Sequence, residues 1–231
     1  MAPDGLKVRL MVDTSQYQHP NGEVIDWVQV AGAGITHALV RYGDPAKDSA
    51  WLATDMHERV QREMDPWFVR DVQGARAAGI KVGTYAWIRP TMDTPEGQMQ
   101  RIYDAIMGSV GRLDLPYMFD VETEGTSSWP LPYTATVWLE QAHAKMWQLD
   151  GREPFLYNAQ WFYANKMTRS EYLSKCKTFI ASYRNVAPDD EGVMQVAGFV
   201  DWAYKNPQLL QSSTPSMWQT FGWDAGPLQA A

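Results

Sequence analysis

The stretch PWFVRDVQGARAAGIKVGTYAWI, residues 66–88, contains a helix pattern followed at once by a strand pattern. A proline near the start and Gly79 just past the end are typical of helix termini, so residues 66–78 are predicted to be helical. Residues 81–88 (KVGTYAWI) are predicted to form a strand, which Pro90 ends. A helix that leads directly into a strand is the repeating unit of a parallel α/β sheet.

The same unit recurs along the chain. Strands are predicted at residues 7–12, 37–42, 81–88, 115–121, 154–158, 178–183 and 216–221, with helices at 25–31, 66–78, 94–110 and 134–149. About seven strands in a chain of this length favour a closed or nearly closed barrel. No glycine-rich dinucleotide fingerprint follows any strand, which argues against an open doubly wound sheet. We therefore predict an α/β fold, a distorted TIM-like (β/α) barrel, that forms a single domain over residues 1–231.

Composition excludes several classes of function. The net charge of −7 is the opposite of what a nucleic-acid-binding protein needs, and no apolar run is long enough to insert into a membrane. Cys176 is the only cysteine, so no intrachain disulfide can form, and a buried inert thiol is the expected state. The four histidines show neither HxH nor HExxH spacing. We expect no metal and no cofactor.

Two carboxylates stand two residues apart at the end of the fourth predicted strand. Asp120 and Glu122 follow an apolar run that begins at Leu115. Because side chains alternate along a strand, these two acids are expected on one face, with Phe119 and Val121 on the other. Like charges held so close raise the pKa of one of them. Enzymes that cleave glycosidic bonds by acid catalysis use a protonated carboxyl group beside an ionised one.

Further acids and aromatic residues are expected at the same rim, because active sites of such barrels lie at the carboxyl ends of the strands. Asp13 ends the first strand and Asp224 follows the last. Asp44, before Pro45, is predicted to be a turn residue and is left out of the site. The aromatic residues expected at this rim include Tyr42, Tyr85, Trp87, Tyr157 and Trp218. Acids on the floor and aromatic rings on the wall suit a polysaccharide cleft.

Five segments in this order carry a recognisable family pattern. They are VDTSQYQ at 12–18, DPWF at 65–68 leading to AGIKVGTYAW at 78–87, LPYMFDVE at 115–122, FLYN at 155–158 and MWQT at 217–220. This pattern resembles glycoside hydrolase family 25, the Chalaropsis-type lysozymes common among bacteriophage endolysins. The chain departs from it at Tyr85-Ala86-Trp87, where the family commonly has Tyr-His-Phe, and at Thr220, where it has tyrosine.

The resemblance implies a barrel that cleaves the β-1,4 bond between N-acetylmuramic acid and N-acetylglucosamine in peptidoglycan. It implies that Glu122 is the general acid, Asp120 its partner carboxylate and Asp13 an acid of the floor. Asp224 is the candidate for a fourth acid. The residues then expected to hold the sugars are Tyr85, Trp87, Tyr157, Trp218, Gln219 and Tyr42.

Two other functions are compatible with these residues: a chitinase-like, substrate-assisted glycosidase, and a non-catalytic barrel that binds cell-wall glycan. The expected partner is bacterial peptidoglycan, with no nucleic acid and no membrane insertion, and the expected oligomeric state is a monomer. The N-terminus lacks the apolar region of a signal peptide. We therefore expect an enzyme that acts on the cell wall and is phage-encoded and released by a holin, or carried in a larger protein or virion.

Overall fold

The computed structural model describes residues 11–44, 63–90, 93–122, 131–159, 162, 165–181 and 217–219. Seven parallel strands form one sheet in sequential order. They are β1 (Met11–Thr14), β2 (His37–Gly43), β3 (Lys81–Trp87), β4 (Tyr117–Asp120), β5 (Phe155–Ala159), β6 (Thr178–Ala181) and β7 (Met217–Gln219). The helices are α1 (Trp27–Gly32), α2 (Phe68–Ala77), α3 (Pro95–Ser109) and α4 (Pro132–Asp150). The predicted α/β fold, a distorted barrel built as a single domain, is confirmed.

The helix ends follow from the local sequence. The Asp26 carboxylate accepts hydrogen bonds from the first backbone N–H groups of α1, and the Thr94 hydroxyl caps α3 in the same way. Gly151, with a φ of 74°, ends α4 in the left-handed conformation that glycine adopts without strain. Among the residues that the structure describes, no helix combines the length and apolar character needed to cross a bilayer.

The strands bury their two faces differently. The outward face packs against the helices in the main core, to which β2 contributes Ala38, Val40 and Tyr42. The inward face carries a smaller cluster, in which Leu39 of β2 packs with Met118 and Tyr157. Because side chains alternate along a strand, this division fixes which residues point to the barrel interior.

A β-bulge interrupts this alternation near the end of β2. Arg41 pairs with Tyr85 of β3 whereas Gly43 pairs with Ala86, so β2 advances by two residues while β3 advances by one. The extra residue exchanges the faces of whatever follows it. Asp44 is therefore brought to the inward face, although simple alternation from Arg41 would place it outward.

Only glycine fits at the bulge. Gly43 has a φ of 148°, and a Cβ atom there would lie 1.8 Å from the carbonyl oxygen of Glu63. The chain around Glu63 runs against the end of β2, where the Asp44 N–H donates to the Glu63 carbonyl at 3.0 Å and the Asp65 N–H donates to the Tyr42 carbonyl at 2.7 Å. These bonds tie the bulge to the segment that precedes α2.

A buried ion-pair network joins this segment to α3. The Arg101 guanidinium lies 3.0 Å from the Glu63 carboxylate and 2.6 Å from that of Asp93, and its side chain is only 2% exposed. The Glu63 side chain is fully buried. Removing one partner from such a pair leaves the other charge buried without compensation.

We predict that Arg101→Ala lowers the free energy of unfolding by about 3–5 kcal/mol, because the Glu63 carboxylate is then buried without its cation. Lys175→Ala is the matched control: it breaks an ion pair with Glu171 whose side chains are 72% and 87% exposed, and should leave stability nearly unchanged. Urea unfolding of both variants measures the difference, and equal effects would contradict the network's role.

Candidate active site

The carboxylate pair lies at the carboxyl end of β4, with its flanking residues in the core. Phe119 is 1% exposed and Val121 fully buried, and both belong to the core cluster on the helix side of the sheet. Asp120 and Glu122 alternate with them and interact electrostatically with each other. The predicted division of these four residues between two faces agrees with the structure.

Strand β3 holds the backbone of this segment from one side. The Ile88 N–H donates to the Asp120 carbonyl at 3.1 Å. The indole N–H of Trp87 donates to the Glu122 carbonyl at 3.0 Å, just past the end of the strand. The second bond fixes the position of Glu122 where the regular ladder has already stopped.

Strand β5 holds the same segment from the other side. The Val121 N–H donates to the Tyr157 carbonyl at 3.2 Å. The side-chain amide of Asn158, itself 1% exposed, donates to the Val121 carbonyl. The carbonyls of three consecutive residues are therefore all hydrogen-bonded, which leaves this backbone little freedom to separate the two acids.

Asp120 is the more buried acid. It is 9% exposed, and among the described residues its Oδ1 atom has no hydrogen-bond partner. Burial raises the pKa of Asp120 well above its ordinary value, and the charge of Glu122 raises it further. The guanidinium groups of Arg41 and Arg89 lower this pKa, and Asp13 raises it to a smaller extent.

Glu122 is partly exposed, and its pKa is also raised, by burial. Both acids therefore hold a proton more firmly than an ordinary carboxyl group. Since their titrations are coupled, the pair takes up its first proton as a unit.

Arg41 and Arg89 are site residues that the sequence analysis did not identify. Both act on the charge of Asp120, and both guanidinium groups lie over the ring of Trp87, at 5.9 Å for Arg41 and 3.8 Å for Arg89. Strand alternation could have pointed to Arg41, because it shares the inward face of β2 with Leu39. Arg89 follows the end of β3, where alternation gives no guidance.

Asp44 holds Arg89 in place. Its carboxylate lies 3.0 Å from Nε and 2.7 Å from a terminal nitrogen of Arg89, a bidentate ion pair, and Asp44 is 7% exposed. The prediction that Asp44 is only a turn residue is therefore wrong. Its role follows from the bulge, which turns the residue after Gly43 toward the interior.

Asp13 and Tyr85 belong to the same inward surface. Asp13 is exposed and raises the pKa of both Tyr85 and Asp120, so its charge faces the carboxylate pair. Tyr85 is partly buried, and its hydroxyl hydrogen-bonds with the side chain of Ser15. The structure thus brings Asp13, Tyr85 and Asp120 together, as expected.

Four other residues were predicted to belong to the site: Tyr157, Trp218, Gln219 and Asp224. Tyr157 pairs with Asp120 across β4 and β5, and it is 8% exposed. Trp218 and Gln219 lie on β7, where they pair with Ile180 and Ala181 of β6. Asp224 lies outside the described residues.

Tyr42 does not belong to the site. It is fully buried on the helix-facing side of β2, where its ring makes an edge contact with Phe68 at 5.8 Å between centroids. The prediction that Tyr42 contacts the substrate is therefore wrong. Tyr42 is the extra residue of the bulge, and it points outward as Val40 does.

The arrangement supplies a proton donor and an anion beside an exposed acid, with two cations to balance their charge. Glu122 is the accessible proton carrier, and Asp120 is a buried carboxyl whose anionic form the two guanidinium groups favour. Asp13, Asp120 and Glu122 do not form a cluster with metal-ligand spacing in the described part of the chain. Proton transfer to a bridging oxygen and stabilisation of a nearby positive charge are the chemistry that these groups can perform.

The family model for glycosyl hydrolases family 25 matches residues 12–212. The chain belongs to this family. The match includes the carboxylate pair, Asp13, Arg41 and Arg89, and it confirms the resemblance seen in the sequence.

Known proteins are similar to this family 25 chain in sequence or in fold. YegX of Escherichia coli O157:H7 is 26% identical over 183 residues, which are 79% of this chain and 59% of YegX. The chain thus spans about three-fifths of the length of the curated relatives it matches.

The structure of a muramidase from Trichobolus zukalii superimposes with a TM-score of 0.58 at 21% identity, covering 78% of this chain and 80% of the other. A lysozyme from Streptomyces coelicolor gives 0.59 at 20% identity, covering 80% and 79%.

We predict that Tyr42→Phe leaves the chemistry of the carboxylate pair unchanged. Its hydroxyl is buried without a hydrogen-bond partner in the described part of the chain, so its removal should also leave stability unchanged or slightly raised. Activity and thermal unfolding are measured together. A loss of turnover at unchanged stability would return Tyr42 to the site.

We also predict that Arg41→Gln moves the acid limb of the pH–activity profile to higher pH. The guanidinium favours the ionised form of Asp120, so its removal raises that pKa, and a higher pH is then needed to ionise the pair's first carboxyl. Lys175→Gln removes the same charge from an exposed helical ion pair and should leave the profile in place. An unchanged profile in Arg41→Gln would show that this cation does not tune the pair.

Proposed function

We propose that this protein hydrolyses the β-1,4 bond between N-acetylmuramic acid and N-acetylglucosamine in bacterial peptidoglycan, as a glycosidase of the lysozyme type. The observation that carries the proposal is the coupled pair of Asp120 and Glu122, both with raised pKa, at the carboxyl end of β4 in a member of family 25. The similar structures of a muramidase and a lysozyme support it.

Glu122 is proposed as the general acid. It is the more accessible acid of the pair, and burial keeps its pKa above the ordinary value, so that a proton is available at mild pH. It donates this proton to the glycosidic oxygen as the bond to the anomeric carbon breaks. The hydrogen bond from Trp87 to the Glu122 backbone holds the donor at the rim during this step.

Asp120 is proposed as the partner that is ionised in the transition state. The proton shared by the free pair moves to Glu122 when the substrate, which becomes positively charged at the anomeric carbon, approaches Asp120. Arg41 and Arg89 favour the same ionised form. Asp120 then stabilises either the oxocarbenium-like state itself or an oxazolinium formed by the substrate's own 2-acetamido group.

The remaining predicted residues are proposed to position sugar and water. Asp13 faces the pair from the exposed side and would orient the incoming water. Tyr85, Trp87 and Tyr157 line the inward face near Asp120, and Trp218 and Gln219, on β7, stay predicted sugar-binding residues. Asp224 stays a predicted fourth acid.

The site of action is proposed to be the bacterial cell wall, with the protein working as a monomer. Phage encoding with holin release, or carriage in a larger protein or virion, stays a prediction from the sequence. The hydrolase proposal does not depend on either route, because it concerns the carboxylate pair and the glycan alone.

We predict that Glu122→Gln and Asp120→Asn each lower the release of new reducing ends from purified peptidoglycan by at least about a hundredfold, because each removes one half of the acid–base pair. Both variants keep the shape of the side chain, so the fold should survive. Glu96→Gln is the matched control, since Glu96 is exposed in the first turn of α3 and should retain full activity.

Borohydride reduction of the products identifies the bond. Muramitol after acid hydrolysis shows cleavage on the muramic acid side, as proposed. Glucosaminitol with cleavage of chitin would instead support the chitinase-like alternative. Binding of peptidoglycan without any new reducing end would support a non-catalytic barrel and overturn the proposal.

A further inference from the structure

A second cluster of chemically active side chains lies at the end of the barrel opposite the carboxylate pair. It combines the imidazole of His143, the carboxylate of Glu153 and the thiol of Cys176, and one ligand atom of each lies within 4.8 Å of the other two. His143 is on α4, Glu153 lies two residues before β5 and Cys176 lies two residues before β6. The amino ends of the strands therefore carry this cluster, whereas Asp120 and Glu122 stand at a carboxyl end.

The tautomer of His143 places its unprotonated nitrogen, Nδ1, on the side of the cluster. Its Nε2 lies 3.1 Å from the Pro154 carbonyl oxygen, which can only accept, so Nε2 carries the proton. Nδ1 therefore presents its lone pair to the cluster, where the Tyr172 hydroxyl lies at 3.0 Å and the Cys176 sulfur at 3.8 Å. A backbone carbonyl bonded to the outer ring nitrogen is the usual way to orient a metal-binding histidine.

The distance between the Cys176 sulfur and His143 Nδ1 is close to that between neighbouring ligand atoms of a tetrahedral site. Zinc bonds of about 2.3 Å to sulfur and 2.0–2.1 Å to nitrogen put neighbouring ligand atoms roughly 3.5 Å apart. The observed 3.8 Å between Sγ and Nδ1 needs little adjustment. Glu153 is oriented as well, because its Oε1 accepts the backbone N–H of Lys177 at 3.0 Å.

The charges around the thiol favour a cation. The carboxylates of Glu153 and Glu140 both act electrostatically on the Cys176 sulfur, so the region beside it is anionic. Lys177 is the nearby cation, with Nζ 3.6 Å from Glu153 and a side chain 45% exposed. A divalent ion would compensate both carboxylates and replace the thiol proton.

We propose that His143, Glu153 and Cys176 form a Zn²⁺ site that joins α4 to the amino ends of β5 and β6. Nδ1, one carboxylate oxygen and the thiolate are the three protein ligands, and the Tyr172 hydroxyl or a water is the fourth. Binding forms the zinc–sulfur bond and releases the Cys176 proton to solvent. Thiolate and imidazole ligands select zinc over Mg²⁺ or Ca²⁺, which prefer oxygen. The site is structural, and it is independent of the proposed hydrolase chemistry.

Cobalt substitution gives a direct test on the intact, tag-free chain. Because Cys176 is the only cysteine, a thiolate-to-cobalt charge-transfer band in the near ultraviolet can arise from this residue alone. We expect the band to saturate at one Co²⁺ per chain and to disappear when Zn²⁺ is added. Absence of the band at saturating Co²⁺ would overturn the proposal.

Thermal unfolding with and without Zn²⁺ provides the second measurement. Zinc at a hundredfold excess over its Kd should raise the Tm by about 5–10 °C. Cys176→Ser and Glu153→Gln should each weaken zinc binding at least about tenfold and lose most of this rise, whatever their Tm without metal. An equal rise in Cys176→Ser would mean that zinc binds elsewhere, and the proposal would fail.

Discussion

Two acids that repel each other are held side by side because the backbone beneath them cannot move apart. The Asp120 carbonyl is bonded from β3, the Val121 N–H from β5, and the Glu122 carbonyl from the indole of Trp87. Val121 and Phe119 also anchor the segment in the helix-side core. The packing and hydrogen bonding of the whole sheet therefore keep the two carboxyl groups from moving apart. Because they cannot separate, the unfavourable charge of the pair appears as raised pKa values.

The cations beside the pair lower the pKa of Asp120 and so limit this effect. Burial alone would keep Asp120 protonated, whereas Arg41 and Arg89 restore access to its anion. Both guanidinium groups lie over Trp87, whose indole N–H also positions Glu122. One aromatic side chain thus connects the two cations to the proposed proton donor, so the charge balance and the geometry of the pair depend on the same residue.

Most of the fold could be predicted because helix and strand patterns, caps and glycine stops are local properties of the chain. The orientation of Asp120 and Glu122 followed from the alternation of four residues. The orientation of Asp44 was missed because it depends on a bulge that a period-two pattern does not contain, whereas Tyr42 was placed at the rim although alternation with Val40 already turns it outward. Arg89 was missed since its place depends on Asp44, a contact across 45 residues that no local pattern encodes.

Gly43 makes the function of this strand unusually sensitive to its pairing register. Before the glycine the outward residues of β2 build the core, and after it the inward residue holds a cation of the cleft. Regular pairing of the same residues, without the bulge, would leave composition and strand propensity unchanged, yet it would turn Asp44 toward the helices. In this part of the family 25 barrel, a backbone conformation that only glycine adopts decides on which side of the sheet a charged residue lies.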